Sequence, residues 1–248
     1  MVLYKAVPKY PIIIAANRDE YYSRKAKRPD ILQLGENGKV KAIAGQDAMA
    51  GGTWLGINQF GVIVGITNRS TGKSRDNSKK SRGALVLSCL EKRSTYEISE
   101  MLVHEDTEQY NPFNLFYADL SGAYLATNYE KKRVIPLLEE IGVLVNGDPE
   151  NREANKQKRA MGLLRELVGR KALSMEDLKG VCSGHEGSEN PLEPFCVHTE
   201  NYGTVSSTII FFSGELNKTK YFHCEGPPCQ NAYQDYSPHL SNLFSSPS

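Results

Sequence analysis

The chain has 248 residues, and thirty basic side chains against twenty-nine acidic ones leave a formal net charge of +1. With 40% hydrophobic and 24% charged residues, the composition is that of a globular protein able to bury a sizeable core. The balanced charge excludes a broad basic surface for nucleic acid, and no run of residues reaches the roughly 18 apolar positions of a membrane span.

In chain order the first third reads as strands. Val2 to Tyr4 and Ile12 to Ala16 are short apolar runs rich in β-branched residues, and Pro8 and Pro11 suit the link between them. Ile43 to Ala44, Thr53 to Ile57 and Val62 to Thr67 continue the pattern. Asn58-Gln59-Phe60-Gly61 reads as a hairpin turn between the last two. Residues 71 to 80 are polar and rich in turn formers, which predicts a loop. Ser81 is placed to cap a helix carrying Leu85, Leu87 and Leu90. Ser94 and Glu97 fit a capping box for a second helix with Ile98, Met101 and Leu102. Strand signals return at Asn114 to Ala118, Ala123 to Thr127 and Val143 to Val145.

The charged stretch Glu150 to Arg159 leads into Met161, Leu163, Leu164, Leu167 and Val168, a pattern that predicts one amphipathic helix. Ser174 starts another by the same capping logic. Residues 184 to 194 read as a loop. Thr208 to Phe212 and Lys220 to Cys224 read as closing strands, and the tail from Ser245 to Ser248 as disordered. Runs of like elements, rather than strict alternation, predict an α+β fold of antiparallel sheets covered by helices. With no repeat and no long linker, residues 1–244 read as a single domain.

The five cysteines (Cys89, Cys182, Cys196, Cys224, Cys229) are odd in number and widely spaced, which reads as reduced thiols in a cytoplasmic protein. Lys5, Pro8 and Lys9 break any apolar leader at the start. Cys196 and His198, with His223, Cys224 and Cys229, match no standard zinc spacing, so no metal site is expected; His198 is the histidine to watch. Phosphate-loop, dinucleotide and nucleophile-elbow motifs are absent from the sequence.

Four segments carry polar chemistry. Asn17-Arg18-Asp19-Glu20 follows an apolar run, so Arg18 and one acid can point together into a cleft or form a surface ion pair; the residues leave both open. Gly51-Gly52-Thr53-Trp54-Leu55-Gly56 suggests close backbone approach with the indole packed over the two glycines, in a structural or a ligand-facing role. Asn68 in Thr67-Asn68-Arg69 ends a strand, as an oxyanion donor or a turn former. Tyr202-Gly203-Thr204-Val205-Ser206-Ser207-Thr208 precedes a strand and suits a cleft wall or a capped turn.

Together with Ser81-Arg82-Gly83, Asn114-Leu115, Ala118-Asp119-Leu120 and Val145-Asn146-Gly147, these segments resemble the NRDE domain family, which includes transport and Golgi organisation protein 2. That family is similar to a branch of the N-terminal nucleophile hydrolases akin to penicillin V acylase and the bile-salt hydrolases. The resemblance implies a four-layer αββα sandwich of two antiparallel sheets between helix layers. It also implies cleavage of an amide C–N bond by an N-terminal cysteine whose own α-amine is the base. By carry-over, Arg18 steadies the thiolate, Asp19 orients the amine, and Asn68 and Asn146 are oxyanion or positioning groups. Asn17, Glu20, Trp54, Tyr202, Thr204 and Ser206 are the candidate ligand contacts.

The sequence departs from the family pattern twice. It opens Met1-Val2-Leu3-Tyr4 with no cysteine before Cys89, so hydrolysis requires a cysteine ahead of the recorded start. Val205 also stands where the family has an arginine. The alternative that the resemblance implies is a non-catalytic intracellular carrier of haem or an acyl-CoA in the same cleft, with no cofactor needed and Cys196, His198 or Tyr202 as haem ligands. In either case the partner is a small molecule.

Overall fold

The structure is a computed structural model, and it describes residues 1–72, 74–148, 155–170, 173–187 and 190–243. The chain divides into two compact units, each assembled from separated stretches. The first holds residues 1–25, 139–143 and 150–238; the second holds 26–138, 144–149 and 239–248. Each contains one antiparallel sheet with helices, so the α+β class expected from the sequence holds.

In the first unit, β1 (Val2–Val7), β2 (Tyr10–Tyr21), β10 (Ile141–Gly142), β11 (Tyr202–Phe212), β12 (Lys220–Glu225) and β13 (Tyr233–Asp235) form a six-stranded sheet. Its order is β10-β1-β2-β11-β12-β13. Ile12, Ile13, Ile14 and Ala15 are consecutive and all buried, so both faces of β2 are shielded there. Helix α3 (Asn155–Gly169) packs on β10, and α4 (Met175–Cys182) packs on β2 and β11. Ser174 closes a full capping box with Asp177, as its sequence predicts.

In the second unit, seven strands form a meander in chain order. They are β3 (Ala26–Leu34), β4 (Val40–Asp47), β5 (Leu55–Asn58), β6 (Ile63–Asn68), β7 (Phe113–Ala118), β8 (Ala123–Thr127) and β9 (Arg133–Pro136). Helix α1 (Arg82–Leu90) packs on β5 and β6. Leu85, Val86, Cys89 and Leu90 of α1 join Ile98 and Leu102 of α2 (Thr95–His104), Val62 just before β6, and Val64, Leu115 and Tyr117 of the sheet in one core. The two N-caps differ from expectation. Ser81 sits at the cap of α1 without a side-chain bond. Ser94 accepts from the Glu97 amide at 3.2 Å, but Glu97 reaches back one residue further, to the Arg93 amide at 2.8 Å.

Three strands lie outside the sequence expectation. Strand β3 is an edge strand carrying Lys27, Arg28 and Pro29, a composition that hides its pairing; its register shifts between Lys27 and Asp30, beside the proline. Strands β9 and β13 are short edge strands at the other ends of their sheets. Helix α5 (Ser237–Ser241) is a further short element. The strand expected at Val143 to Val145 falls instead on Ile141–Gly142. Of the amphipathic helix, residues 150–154 lie outside the described residues, as do Lys73 of the expected loop and the tail 245–248. Among the described residues no helix is long and apolar enough to cross a membrane.

Candidate functional site

Asn17-Arg18-Asp19-Glu20 lies inside β2, not at a strand end, because that strand continues to Tyr21. Tyr202 to Thr208 is likewise the first half of β11 rather than its approach. The two segments are neighbours in the sheet. Thr204 stands opposite Asp19, Ser206 opposite Arg18, and Ser207 opposite Asn17. The register shifts between Thr204 and Ser206, leaving Val205 as the extra residue of a bulge.

This pairing builds a partly buried polar group. Thr204 donates its hydroxyl to Asp19 Oδ1 at 2.6 Å and accepts from the Val197 amide at 2.9 Å. Lys156, from the first turn of α3, places its Nζ 3.9 Å from Asp19 Oδ2. Burial raises the Asp19 carboxyl above its ordinary value, while Lys156 and the Thr204 hydroxyl oppose that shift. Burial also lowers the Lys156 ammonium, which the Asp19 charge opposes. Tyr202 donates to the Asp19 carbonyl at 3.1 Å and packs edge-on against Tyr21, with its phenol pushed up to about 12 by burial and the nearby carboxylates.

Strand β1 runs antiparallel to β2, with Val2 opposite Ile14. Met1 donates its α-amine to the Ala15 carbonyl at 2.9 Å. Burial holds that amine down to about 6, and it feels the charges of Cys182 and Lys156. The head of β1 thus lies within electrostatic reach of Cys182 and Lys156.

The other candidates separate by role. Arg18 is buried, 9% exposed, on β2. Asn17 turns its amide into the protein, donating to the carbonyls of Cys182 at 2.9 Å and Phe195 at 2.8 Å. That bond pair fastens the end of α4 and the following loop to the strand. Glu20 accepts from the Tyr21 amide at 3.0 Å and pairs with Arg24 at 3.4 Å, so this acid makes the surface pair. Ser206 is buried, and its hydroxyl has no partner among the described residues.

Trp54, Asn68 and Asn146 belong to the second unit. The indole does not cover Gly51 and Gly52. It lies on Gly45 of β4, where a Cβ would meet the ring at 2.6 Å. Gly52 abuts the backbone of Gly83 instead, which joins two family motifs at a point where neither tolerates a side chain. Asn68 is the last, exposed residue of β6. The chain beyond it is tied to the segment holding Asn146: Ser70 donates to the Asn146 carbonyl at 2.6 Å, and Arg69 pairs with Asp148 at 3.0 Å. Asn114 donates to the carbonyls of Val145 and Gly147, at 3.1 and 3.0 Å.

A family model described as Transport and Golgi organisation 2 matches residues 1–223. The chain belongs to the Transport and Golgi organisation 2 family. A curated relative, the Transport and Golgi organization protein 2 homolog of Homo sapiens, is 36% identical over 119 residues, covering 46% of this chain and 41% of the relative. The Bos taurus homolog is 36% identical over 113 residues, covering 45% and 40%. The matched region therefore spans about two fifths of these relatives. Among solved structures, the Caenorhabditis elegans ortholog of N-acylethanolamine-hydrolyzing acid amidase superposes with a TM-score of 0.57 at 16% identity, over 86% of this chain and 92% of that one. A mutant conjugated bile acid hydrolase from Clostridium perfringens gives 0.58 at 13%, over 96% and 92%. At such identities these likenesses show the fold alone, which the chain shares with those two hydrolases.

The first unit of this Transport and Golgi organisation 2 family member contains a second polar grouping. Cys196, His198 and Cys229 converge, joined by His185, so that one donor atom from each lies within 4.8 Å of the others. Sequence spacing does not reveal this set. Of the residues weighed there, His223 bonds Thr208 at 2.9 Å and Cys224 turns its thiol toward backbone carbonyls, 3.4 Å from that of Asn231. Sequence reasoning also passed over Lys156, one lysine in a charged run, and His185 in a loop; only the fold singles them out.

Proposed function

We propose that this chain carries an amide (C–N) hydrolase or acyltransferase centre on the β1–β2–β11 part of the first unit, with the reacting cysteine at the head of the β1 line. The observation that supports this reading is the partly buried Asp19–Thr204–Lys156 group, whose lysine acts electrostatically on the start of β1. From Val2 to Tyr4, residue numbers of partners on β1 and β2 sum to 16, as in Val2 with Ile14, and the register shifts only beyond Tyr4. The same line prolonged runs past Ala16 and Asn17 toward Arg18, the residue that steadies a thiolate in this reading.

In this scheme the α-amine takes the thiol proton and the thiolate attacks the acyl carbon, forming a C–S bond. Collapse of the tetrahedral adduct breaks the C–N bond, and the proton leaves with the amine product. Water, or a second acceptor, then attacks the thioester and releases the acyl group. Asp19 orients the amine.

None of the five cysteines lies on β1. The test therefore uses protein isolated from its own cells, with its N-terminus read by mass spectrometry and its thiols challenged with an acylating probe. A first-residue cysteine that takes the probe stoichiometrically is the expected result, with Arg18→Leu and Asp19→Asn slowing labelling by roughly 100-fold. A mature N-terminus without cysteine, or one that stays unlabelled, overturns the reading.

A second reading, an intracellular carrier of haem or an acyl-CoA, is favoured by the exposed imidazole of His198, a donor suited to haem iron. A haem titration without a Soret shift removes its haem form.

A further inference from the structure

We propose that His185, Cys196, His198 and Cys229 bind one zinc ion that staples the loop after α4 and the turn between β12 and β13 to the start of β11. Two thiols and two imidazoles are a donor set that zinc takes in tetrahedral geometry. Their donor atoms already lie close. Cys196 Sγ is 3.5 Å from Cys229 Sγ and 3.5 Å from His198 Nε2, and His198 Nε2 is 3.3 Å from Cys229 Sγ. Atoms bound at zinc distances of about 2.0–2.3 Å in a tetrahedron stand roughly 3.3–3.8 Å apart, so these three need almost no movement to share an ion. The His185 ring lies beside that of His198, with centroids 5.2 Å apart.

The four side chains come from three separate stretches, and backbone bonds hold each one. The Cys196 amide donates to the Gly184 carbonyl at 3.0 Å, which keeps the neighbour of His185 beside Cys196. His198 pairs with Gly203 across a β-bridge, closed by the turn from Thr199 to Tyr202. Cys229 follows Gly226, whose φ of 86° turns the chain out of β12, and the Gly226 amide donates to the Val205 carbonyl at 2.9 Å. Convergence of these donors is thus built into the fold. Two hydrogen-bonded thiols and an imidazole gain little from their mutual contacts, whereas a cation joins all four.

Four protein donors leave no open position, so the ion is structural rather than catalytic. Its role follows from its place: Thr204, which bonds Asp19, lies between His198 and the Val205 carbonyl that the Cys229 turn grips. The proposal is independent of the hydrolase reading, because it concerns metal content alone, and it is an alternative to haem ligation by His198, whose Nε2 it uses.

The test is metal analysis of the full chain, purified with reductant and without added metal. Roughly one zinc per chain is expected, falling toward zero in C229S and in H185A, with both variants folded by circular dichroism. Cobalt(II) added to the chelator-stripped wild-type chain is expected to give thiolate charge-transfer and tetrahedral ligand-field bands. These should be lost in C196S. Because the cobalt readout uses the wild-type chain, it stands even where a variant fails to fold. Absence of zinc together with absence of cobalt bands overturns the proposal. So does a zinc content unchanged in C229S and H185A. A Cys196–Cys229 disulfide in a chain whose reduced form binds no metal also overturns it.

Discussion

Thr204 of β11 and Asp19 of β2 face each other across the sheet and share a hydrogen bond of 2.6 Å, although they stand 185 residues apart in the chain. The threonine hydroxyl is shared, since it also accepts from the Val197 amide. One side chain therefore satisfies a half-buried carboxylate and a buried backbone donor together. Thr204→Val keeps the shape and removes both bonds, leaving the Val197 N–H and Asp19 Oδ1 unpaired. The expected loss is about 2–4 kcal/mol, read from the shift in urea midpoint, and Thr204→Ser should recover most of it. A Thr204→Val chain as stable as the wild type would contradict this account of the pair.

Asp19 also gives a pH signature. Burial raises its carboxyl above the ordinary 3.8, so the folded chain keeps that proton to higher pH than the unfolded chain. The resulting stabilisation is fully present below about 3.8 and is lost as pH rises through the folded value. The unfolding free energy of the wild type minus that of Asp19→Asn is therefore expected to decline as pH rises above 3.8 and then level off. Urea midpoints across an acidic pH series measure it. A difference that rises over this range would show that the carboxyl is lowered in the fold.

Gly52 and Gly83 provide a test in the second unit. A Cβ on Gly52 would stand 2.5 Å from the Gly83 carbonyl carbon and 2.7 Å from its Cα, and neither backbone can step aside cheaply. Gly52→Ala is expected to cost about 2–3 kcal/mol. Gly51 next to it has open space, and only its φ of 69° opposes a side chain. Gly51→Ala should cost about 1–2 kcal/mol. Thermal unfolding of the two variants ranks them, and the reverse order would refute the close approach.

The sequence by itself determined the local elements and the family. Short apolar runs rich in β-branched residues placed β1, β6, β7 and β8, and apolar residues at helical spacing placed α2 and α3, because such local patterns report burial whatever the partner is. The Ser174 capping box was legible for the same reason, its whole geometry lying within four residues. Tertiary structure decided the rest. Edge strands β3, β9 and β13 bury too little to leave a periodic signal; they exist because a neighbouring strand offers hydrogen bonds. Sheet register sets Thr204 against Asp19, while the placement of α3, α4 and the loop after α4 against that sheet brings Lys156 within 3.9 Å of the acid and two carbonyls to the Asn17 amide. The same holds for His185, Cys196, His198 and Cys229. Their spacing says nothing, because donors from three stretches meet only after the β-ladders and turns have fixed where each stretch ends.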